Sequence, residues 1–254
     1  MPNRNEEIEK LISYIKSGHF TGDTITAHGI STDELIDLIA AIRVRPGLSK
    51  TIKFLDLANL DVRKQGSITA IPRLNGFTGL KIIILAGNKL RSVPEGWLDD
   101  CPALEELYLH RNNLMILPEK LFKNCKVLKS VNLHCNDLAT LPATLFDGCK
   151  SLENLYLSNN KLIALSEQLL KDCVALQLLD LSSNMLQRPP EGLLDTCVAL
   201  SQLYLNGNQI TALPAGLLDK CLGLKQVIIV ENKLTEIPLN FIANCKKLTS
   251  FIHE

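Results

Sequence analysis

The sequence predicts an α/β solenoid, in which short strands stack into one parallel sheet and the rest of each unit returns the chain to the next strand. Two observations support this fold class. A unit of 24 residues recurs without insertion or deletion from residue 80 onward, and each unit opens with leucines two residues apart, as in a strand with one buried face. Because no single unit can bury its leucines, the units must share one continuous core.

The repeated unit reads LxxLxLxxNxLxxLPxxLFxxCxx. Its first leucine recurs at Leu80, Leu104, Leu128, Leu152, Leu176, Leu200, Leu224 and Leu248. Its cysteine recurs at Cys101, Cys125, Cys149, Cys173, Cys197, Cys221 and Cys245. Over about two thirds of the chain this pattern resembles the repeat of leucine-rich repeat (LRR) proteins. The resemblance implies a right-handed horseshoe with the sheet on its concave face and short helical or 3-10 segments on its convex face. It also implies seven repeats over residues 80–247 and the start of a terminal rung at 248–254.

Upstream of Leu80 the pattern loosens. Residues 21–79 resemble the longer, irregular repeats of ribonuclease-inhibitor-type LRR proteins, in which a full helix follows each strand. Ser31 and Glu34 form a predicted capping box at the start of that helix, and Pro46-Gly47 is predicted to end it. Its apolar face holds Leu35, Leu38, Ile39 and Ile42.

Residues 1–20 are predicted to form an N-terminal helical cap. Asn3 and Glu6 are suitable capping residues, and Gly18 is suited to the end of the helix. Four apolar residues lie at helical spacing on one face and are expected to point inward. They are Ile8, Leu11, Ile12 and Ile15.

The charge balance argues against nucleic acid as a partner. The formal net charge is zero, whereas affinity for nucleic acid depends on lysines and arginines that neutralise phosphates. The opening residues MPNRNEEIEK lack the apolar core of a signal peptide, and no window approaches the roughly 20 apolar residues of a membrane span. We therefore expect a cytoplasmic protein without membrane association.

Seven of the eight cysteines occupy one repeat position, for which three interpretations compete. Zinc sites favour clusters such as CxxC, which the sequence lacks. Disulfides between adjacent rungs are conceivable, but seven equivalent cysteines cannot all pair with neighbours. We favour the third interpretation, in which each cysteine is a small buried hydrophobe and the reduced thiols indicate a reducing compartment.

Function is predicted from the positions that the repeat leaves variable. Leucine belongs to the core, and the repeated asparagine is expected to satisfy backbone groups at the turn after each strand. The position between the two inner leucines holds Asp56, Ile84, Tyr108, Asn132, Tyr156, Asp180, Tyr204, Ile228 and Ile252. The position two residues on holds Ala58, Ala86, His110, His134, Ser158, Ser182, Asn206 and Val230. Tyrosines alternating with Asn or Asp provide the rigid amphipathic anchors of interfaces, although tyrosine also simply favours strands.

We therefore predict a non-catalytic module that binds a protein or peptide partner on the concave face. The predicted partner-binding residues are Tyr108, His110, Arg111, Asn132, His134, Tyr156, Asp180, Tyr204 and Ile228. The second position of the strand carries mixed charges and is predicted to be a solvated rim.

An enzyme is the rival class, and its best candidates are His110, His134 and Cys135. A thiol near imidazole can act as a nucleophile, or the three side chains together could bind a metal ion. The sequence offers neither a further metal ligand nor a group that would orient the imidazole of a catalytic histidine. It also contains no P-loop, GxSxG or HExxH motif. We therefore predict no catalytic residue, no metal site and no cofactor.

The irregular opening, the thiol-rich repeats and the signal-free start together resemble LRR effectors that intracellular bacteria such as Legionella deliver into host cells. That resemblance implies secretion into the host cytosol and action on host proteins. Two other functions stay open: a substrate-recruiting arm of a larger enzyme, such as a ubiquitin ligase whose catalytic segment is absent, and a scaffold that uses its convex face. Leu248, Phe251 and Ile252 begin a rung that no later rung covers, which predicts weak self-association at this end or cover by a missing segment.

Overall fold

The computed structural model describes residues 4–59 and 66–253. Within these ranges the chain forms ten strands in one parallel sheet, and their spatial order is their order in the sequence. The strands are β1 (Thr24–Thr26), β2 (Phe54–Asp56), β3 (Ile82–Ile84), β4 (Glu106–Tyr108), β5 (Ser130–Asn132), β6 (Asn154–Tyr156), β7 (Leu178–Asp180), β8 (Gln202–Tyr204), β9 (Gln226–Ile228) and β10 (Ser250–Ile252). The helices are α1 (Arg4–Lys16), α2 (Thr32–Arg43) and α3 (Leu48–Thr51). The predicted solenoid with a single parallel sheet is confirmed.

Neighbouring strands pair at equivalent repeat positions. Tyr108 lies opposite Asn132, which in turn lies opposite Tyr156, so the 24-residue spacing sets the register. In β2 to β9 the central residue is buried and its two neighbours are half-buried, because successive side chains point to opposite faces. Thr26 of β1 pairs with Asp56 and therefore adds one position to the predicted column that begins at Asp56.

The repeated asparagines have the structural role that was predicted. In a representative rung, Nδ2 of Asn136 donates to the carbonyl oxygens of Leu109 and Leu133 at 3.0 Å each. Its Oδ1 accepts from the backbone N–H of Leu114 at 3.0 Å. One amide therefore satisfies backbone groups of its own rung and of the preceding rung, which offsets the cost of its burial.

The seven repeated cysteines, which we call the cysteine ladder, are buried as predicted. Cys125 is fully buried, and its Sγ donates to the carbonyl oxygen of Cys101 in the preceding rung at 3.8 Å. Burial raises the pKa of the Cys125 thiol to about 12 because the thiolate would lose its hydration. These side chains therefore behave as small core residues.

The convex segments are built from successive tight turns and contain no α-helix in the 24-residue repeats. In one segment, the N–H of Leu121 donates to the carbonyl of Pro118 at 3.2 Å, and the N–H of Cys125 donates to that of Phe122 at 3.0 Å. These are i→i+3 bonds of the 3-10 type, and a third bond, from the N–H of Lys123 to the carbonyl of Lys120 at 3.2 Å, overlaps both. The segment is therefore a short run of 3-10-type turns, as predicted. Ser166 replaces proline in one repeat and forms the same turn, with Leu169 donating to its carbonyl at 3.1 Å.

The N-terminal helices follow the sequence prediction closely. Ser31 and Glu34 form the capping box of α2, with bonds of 2.7 Å and 3.2 Å. Helix α1 packs against α2, with Ile8 and Ile15 buried, and Gly18 follows it with a φ of 90°. Asn3, the other predicted capping residue, lies outside the described residues.

Helix α2 ends at Arg43, and Pro46-Gly47 then forms the turn into α3, where Gly47 has a φ of 79°. The domain boundaries at residues 20, 79 and 247 stay predictions. Ile252 is 44% exposed and Phe251 is partly buried, and self-association at this strand also stays a prediction. Among the described residues, no helix is both long and apolar enough to cross a membrane.

Candidate functional site

Three tyrosines occupy alternate strands on the outward side of the sheet. Tyr108, Tyr156 and Tyr204, here called the tyrosine column, are each half-buried and are separated by Asn132 and Asp180. With strands about 4.8 Å apart, successive tyrosines lie about 10 Å from one another. The strand alternation places this column on the face opposite the leucine core.

Two of these tyrosines are fixed by hydrogen bonds of their hydroxyl groups. Tyr108 Oη donates to Glu106 Oε2 at 2.6 Å, and Tyr204 Oη donates to Gln226 Oε1 at 2.9 Å. Burial and the neighbouring Glu106 carboxylate raise the pKa of Tyr108 to about 12, so its hydroxyl stays protonated at neutral pH. The rings are therefore ordered before any partner arrives, which lowers the entropic cost of binding.

Asn132 and Asp180 use one side-chain oxygen internally. Oδ1 of Asn132 accepts from the backbone N–H of His134 at 3.1 Å. Oδ1 of Asp180 accepts from the N–H and the hydroxyl of Ser182 at 3.0 and 2.6 Å. Within the described part of the chain, this leaves Nδ2 of Asn132 as a free donor and Oδ2 of Asp180 as a free acceptor on either side of Tyr156.

The two histidines of the site lie on adjacent rungs and differ in their contacts. Their ring centroids are 6.4 Å apart, and His134 Nδ1 lies 3.2 Å from Ser158 Oγ. His110 Nδ1 is buried and has no hydrogen-bond partner among the residues described. Burial, and then the charges of His134 and Arg111, lower the pKa of His110 below its usual value. His110 is therefore neutral at pH 7.

Arg111 is exposed at the turn that follows β4, in a backbone conformation with a φ of 56°. The equivalent residue in other rungs also has a positive φ; the set is Gly87, Arg111, Cys135, Asn159, Ser183, Gly207 and Glu231. The left-handed region costs a residue other than glycine about 1 kcal/mol. This column was not predicted, although glycine at two of the seven positions and asparagine at a third were a signal for it.

The structure adds His28 to the same face. His28 Nε2 lies 2.8 Å from Asp56 Oδ2, and the register that pairs Thr26 with Asp56 places His28 beside Ala58. The apolar residues Ile25 and Ala27, two positions apart, were the sequence signal for β1. The predicted columns began at β2 and therefore did not include His28. At the other end, Ile228 is half-buried on β9 and continues the face as an apolar position.

The rival set of His110, His134 and Cys135 does not form a metal-binding cluster. Over residues 4–59 and 66–253, no three His, Cys, Asp or Glu side chains are placed to hold a metal ion. Cys135 is half-buried at the turn with a φ of 54°. Eight of the nine predicted partner-binding residues lie in two columns of the sheet face. One column holds Tyr108, Asn132, Tyr156, Asp180, Tyr204 and Ile228, and the next holds His110 and His134. Arg111 lies in the turn that follows β4.

The repeats match a family model, and the fold matches known structures. The family described as leucine rich repeat matches residues 56–114, 78–134 and 126–186. No curated protein sequence matches the chain significantly. A leucine-rich repeat protein of Leptospira interrogans has a similar structure, with 26% sequence identity and a TM-score of 0.76 over 91% of this chain.

A chain in the Drosophila Toll–Spatzle complex also has a similar structure, with 24% identity and a TM-score of 0.75 over 91% of this chain. At that identity, the similarity shows the fold alone. This chain spans 54% of the length of the Leptospira protein and 30% of the Drosophila chain.

Proposed function

Since this chain belongs to the leucine-rich repeat family, whose repeats generally mediate protein–protein interaction, we propose that it is a non-catalytic recognition module that binds a protein or peptide on its concave sheet face. The observation that carries the proposal is the tyrosine column. Three half-buried tyrosines on alternate strands, two of them fixed by hydrogen bonds, have no role in the leucine core. Tyrosine is also among the residues that dominate binding energy in interfaces.

The groups around Tyr156 favour a partner with a polypeptide backbone. Nδ2 of Asn132 can donate to a carbonyl oxygen, and Oδ2 of Asp180 can accept from an N–H group. An extended peptide offers both kinds of group, together with side chains that can pack on the tyrosine rings. We assign Arg111, His134 and Ile228 to the periphery of the same interface.

The cellular setting is part of the proposal. The buried cysteine ladder supports action in a reducing cytoplasm, because buried thiols in large number are typical of proteins that do not form disulfides. If the protein is a bacterial effector, this compartment is the host cytosol. The Drosophila Toll–Spatzle complex, a structure of similar fold, supports a protein as the kind of partner.

The proposal is tested by comparing tyrosines on and off the sheet. Purified protein, a Tyr156→Ala/Tyr204→Ala variant and a Tyr14→Ala variant are each immobilised and exposed to cytosolic lysate. Tyr14 is the matched control, since it is 51% exposed and belongs to α1. We expect the double variant to lose partners that wild type and Tyr14→Ala retain, with a loss of about 2 kcal/mol or more per anchor residue. Partners retained by the double variant would refute the assignment.

A further inference from the structure

A second surface lies on the edge of the solenoid where each convex segment returns to the sheet. The first residue after the ladder cysteine is aliphatic in three consecutive rungs, at Val174, Val198 and Leu222. These side chains are 45%, 57% and 59% exposed. We call these three residues the return strip. They take no part in the core or in the concave face.

The return strip is a continuous row, because the rungs on this edge are held in register. Gln177, Ser201 and Lys225 lie three residues after the three members of the strip. The backbone N–H of Ser201 donates to the carbonyl of Gln177, and that of Lys225 donates to the carbonyl of Ser201, at 2.8 Å each. A Cβ built on Gly223 would lie 3.5 Å from the carbonyl oxygen of Leu200, so successive rungs pack closely beside the strip. The row is therefore about 10 Å long.

The residues that follow the strip are uncharged on its first two rungs and basic at its ends. They are Ala175, Gln177, Ala199 and Ser201 on the first two rungs, and Gly223 and the exposed Lys225 on the third. The equivalent position is Lys150 in the rung before the strip and Lys246 in the rung after it, where Lys247 follows. All three lysines are exposed, and they form no ion pair within the described residues.

The spacing of the strip matches an α-helix. Rungs repeat about every 4.8 Å, and the turns of a helix repeat every 5.4 Å. A helix lying along the solenoid axis can therefore place one apolar residue per turn, at positions i, i+4 and i+7, against the three aliphatic side chains. The lysines at the two ends are about 19 Å apart, which a helix spans in about 13 residues.

We propose that the return strip binds an amphipathic helix of a partner protein, with three apolar residues at successive turns and acidic residues at both ends. The aliphatic row supplies the apolar contact, and the lysines select the acidic ends because they have no internal partners. The proposal concerns a different face from the tyrosine column and does not depend on it.

The test is a selection from a displayed library of helical 15-residue peptides. Wild-type protein is the bait, Val198→Asp is the counter-selection, and Ile163→Asp is the matched control because Ile163 is 51% exposed on a different edge. We expect peptides that bind wild type and Ile163→Asp at least tenfold more tightly than Val198→Asp. Their sequences should carry one apolar residue per turn and acidic residues at both ends. Circular dichroism melts confirm that each variant is folded.

A charge reversal gives the second part of the test. Lys246→Glu/Lys247→Glu should lose the selected peptides and, in a fresh selection, should enrich peptides that are basic at one end. The proposal is overturned if no peptide distinguishes wild type from Val198→Asp, or if the selected peptides lack acidic ends. Dimerisation abolished by Val198→Asp, or binding to phosphatidylserine vesicles abolished by the charge reversal, would assign the strip to a second copy or a lipid surface and would also overturn it.

Discussion

Cysteines of this chain differ in their chemistry because they differ in burial. Cys125 is fully buried, and its pKa is raised to about 12 by the loss of hydration, whereas Cys135 is half-buried outside the ladder. The repeat position predicted this contrast, since only Cys135 departs from the 24-residue spacing. The free atoms of the concave face were not predictable in the same way. Whether Asp180 offers one oxygen or two depends on its bonds to Ser182, which the residue types alone do not reveal.

Replacing Cys125 with serine should lower the free energy of unfolding by about 1–3 kcal/mol, because a hydroxyl would be buried in an apolar rung. Cys135→Ser is the control and should change it by less than about 0.5 kcal/mol. Urea denaturation measures both values. Thiol titration adds a second check, with eight reactive thiols expected in denaturant without reductant. Equal stability of the two variants, or fewer than eight thiols, would count against a buried, reduced ladder.

The lowered pKa of His110 predicts a pH dependence of stability. Above the unfolded-state value of about 6.5 the residue is neutral in both states, and its stabilising effect is complete. As the pH falls below this value, the unfolded chain takes up a proton that the folded chain resists, so stability is lost until the folded pKa is passed. Urea midpoints between pH 7.5 and 5 should therefore fall less in His110→Gln than in wild type. Parallel pH profiles would show that His110 is not the cause.

Among the secondary-structure elements, those with a local signal were the best predicted. The capping box of α2 and the strands β2 to β10 follow from motifs that recur or that hydrogen-bond within a few residues. The strand β1 was left out of the concave column because its sequence, TITAHGI, lacks the leucines of the strand pattern that β2 shares with the repeats. The convex segments were predicted as short helical or 3-10 segments, and between the proline and the buried cysteine they form successive i→i+3 turns.

The segment that precedes β3 packs closely against α3, and this contact depends on Gly79. A Cβ at this position would lie 2.1 Å from the carbonyl oxygen of Lys50, so Gly79→Ala should force the two segments apart and destabilise the fold by about 1–3 kcal/mol. Gly192→Ala is the control, because the nearest atom to its Cβ would be Asp195 Oδ2 at 3.6 Å. That substitution should be neutral or stabilising by up to about 1 kcal/mol. Thermal unfolding measures the stability of both variants. Equal losses of stability would contradict a close contact between Gly79 and Lys50.

At the scale of the whole molecule, the sheet is a row of rungs in which each rung contacts mainly its neighbours. A constant spacing of 24 residues brings equivalent positions together on every strand, and this is why the sequence alone could predict which side chains share a face. The residues before Leu80 lack that spacing, so the position of His28 beside Asp56 required the structure. The same regularity makes the tyrosine column and the return strip two separate surfaces on one scaffold.

The most direct test of concave recognition is hydroxyl-radical footprinting of the protein with and without a partner recovered from lysate. The chain has four tyrosines, of which three form the column on the sheet and Tyr14 lies on α1. Mass spectrometry reports the reactivity of each ring, so the control is internal to every sample. We expect Tyr108, Tyr156 and Tyr204 to become protected on binding, whereas the reactivity of Tyr14 should not change. Protection of Tyr14 or of convex residues, with the column unchanged, would contradict it.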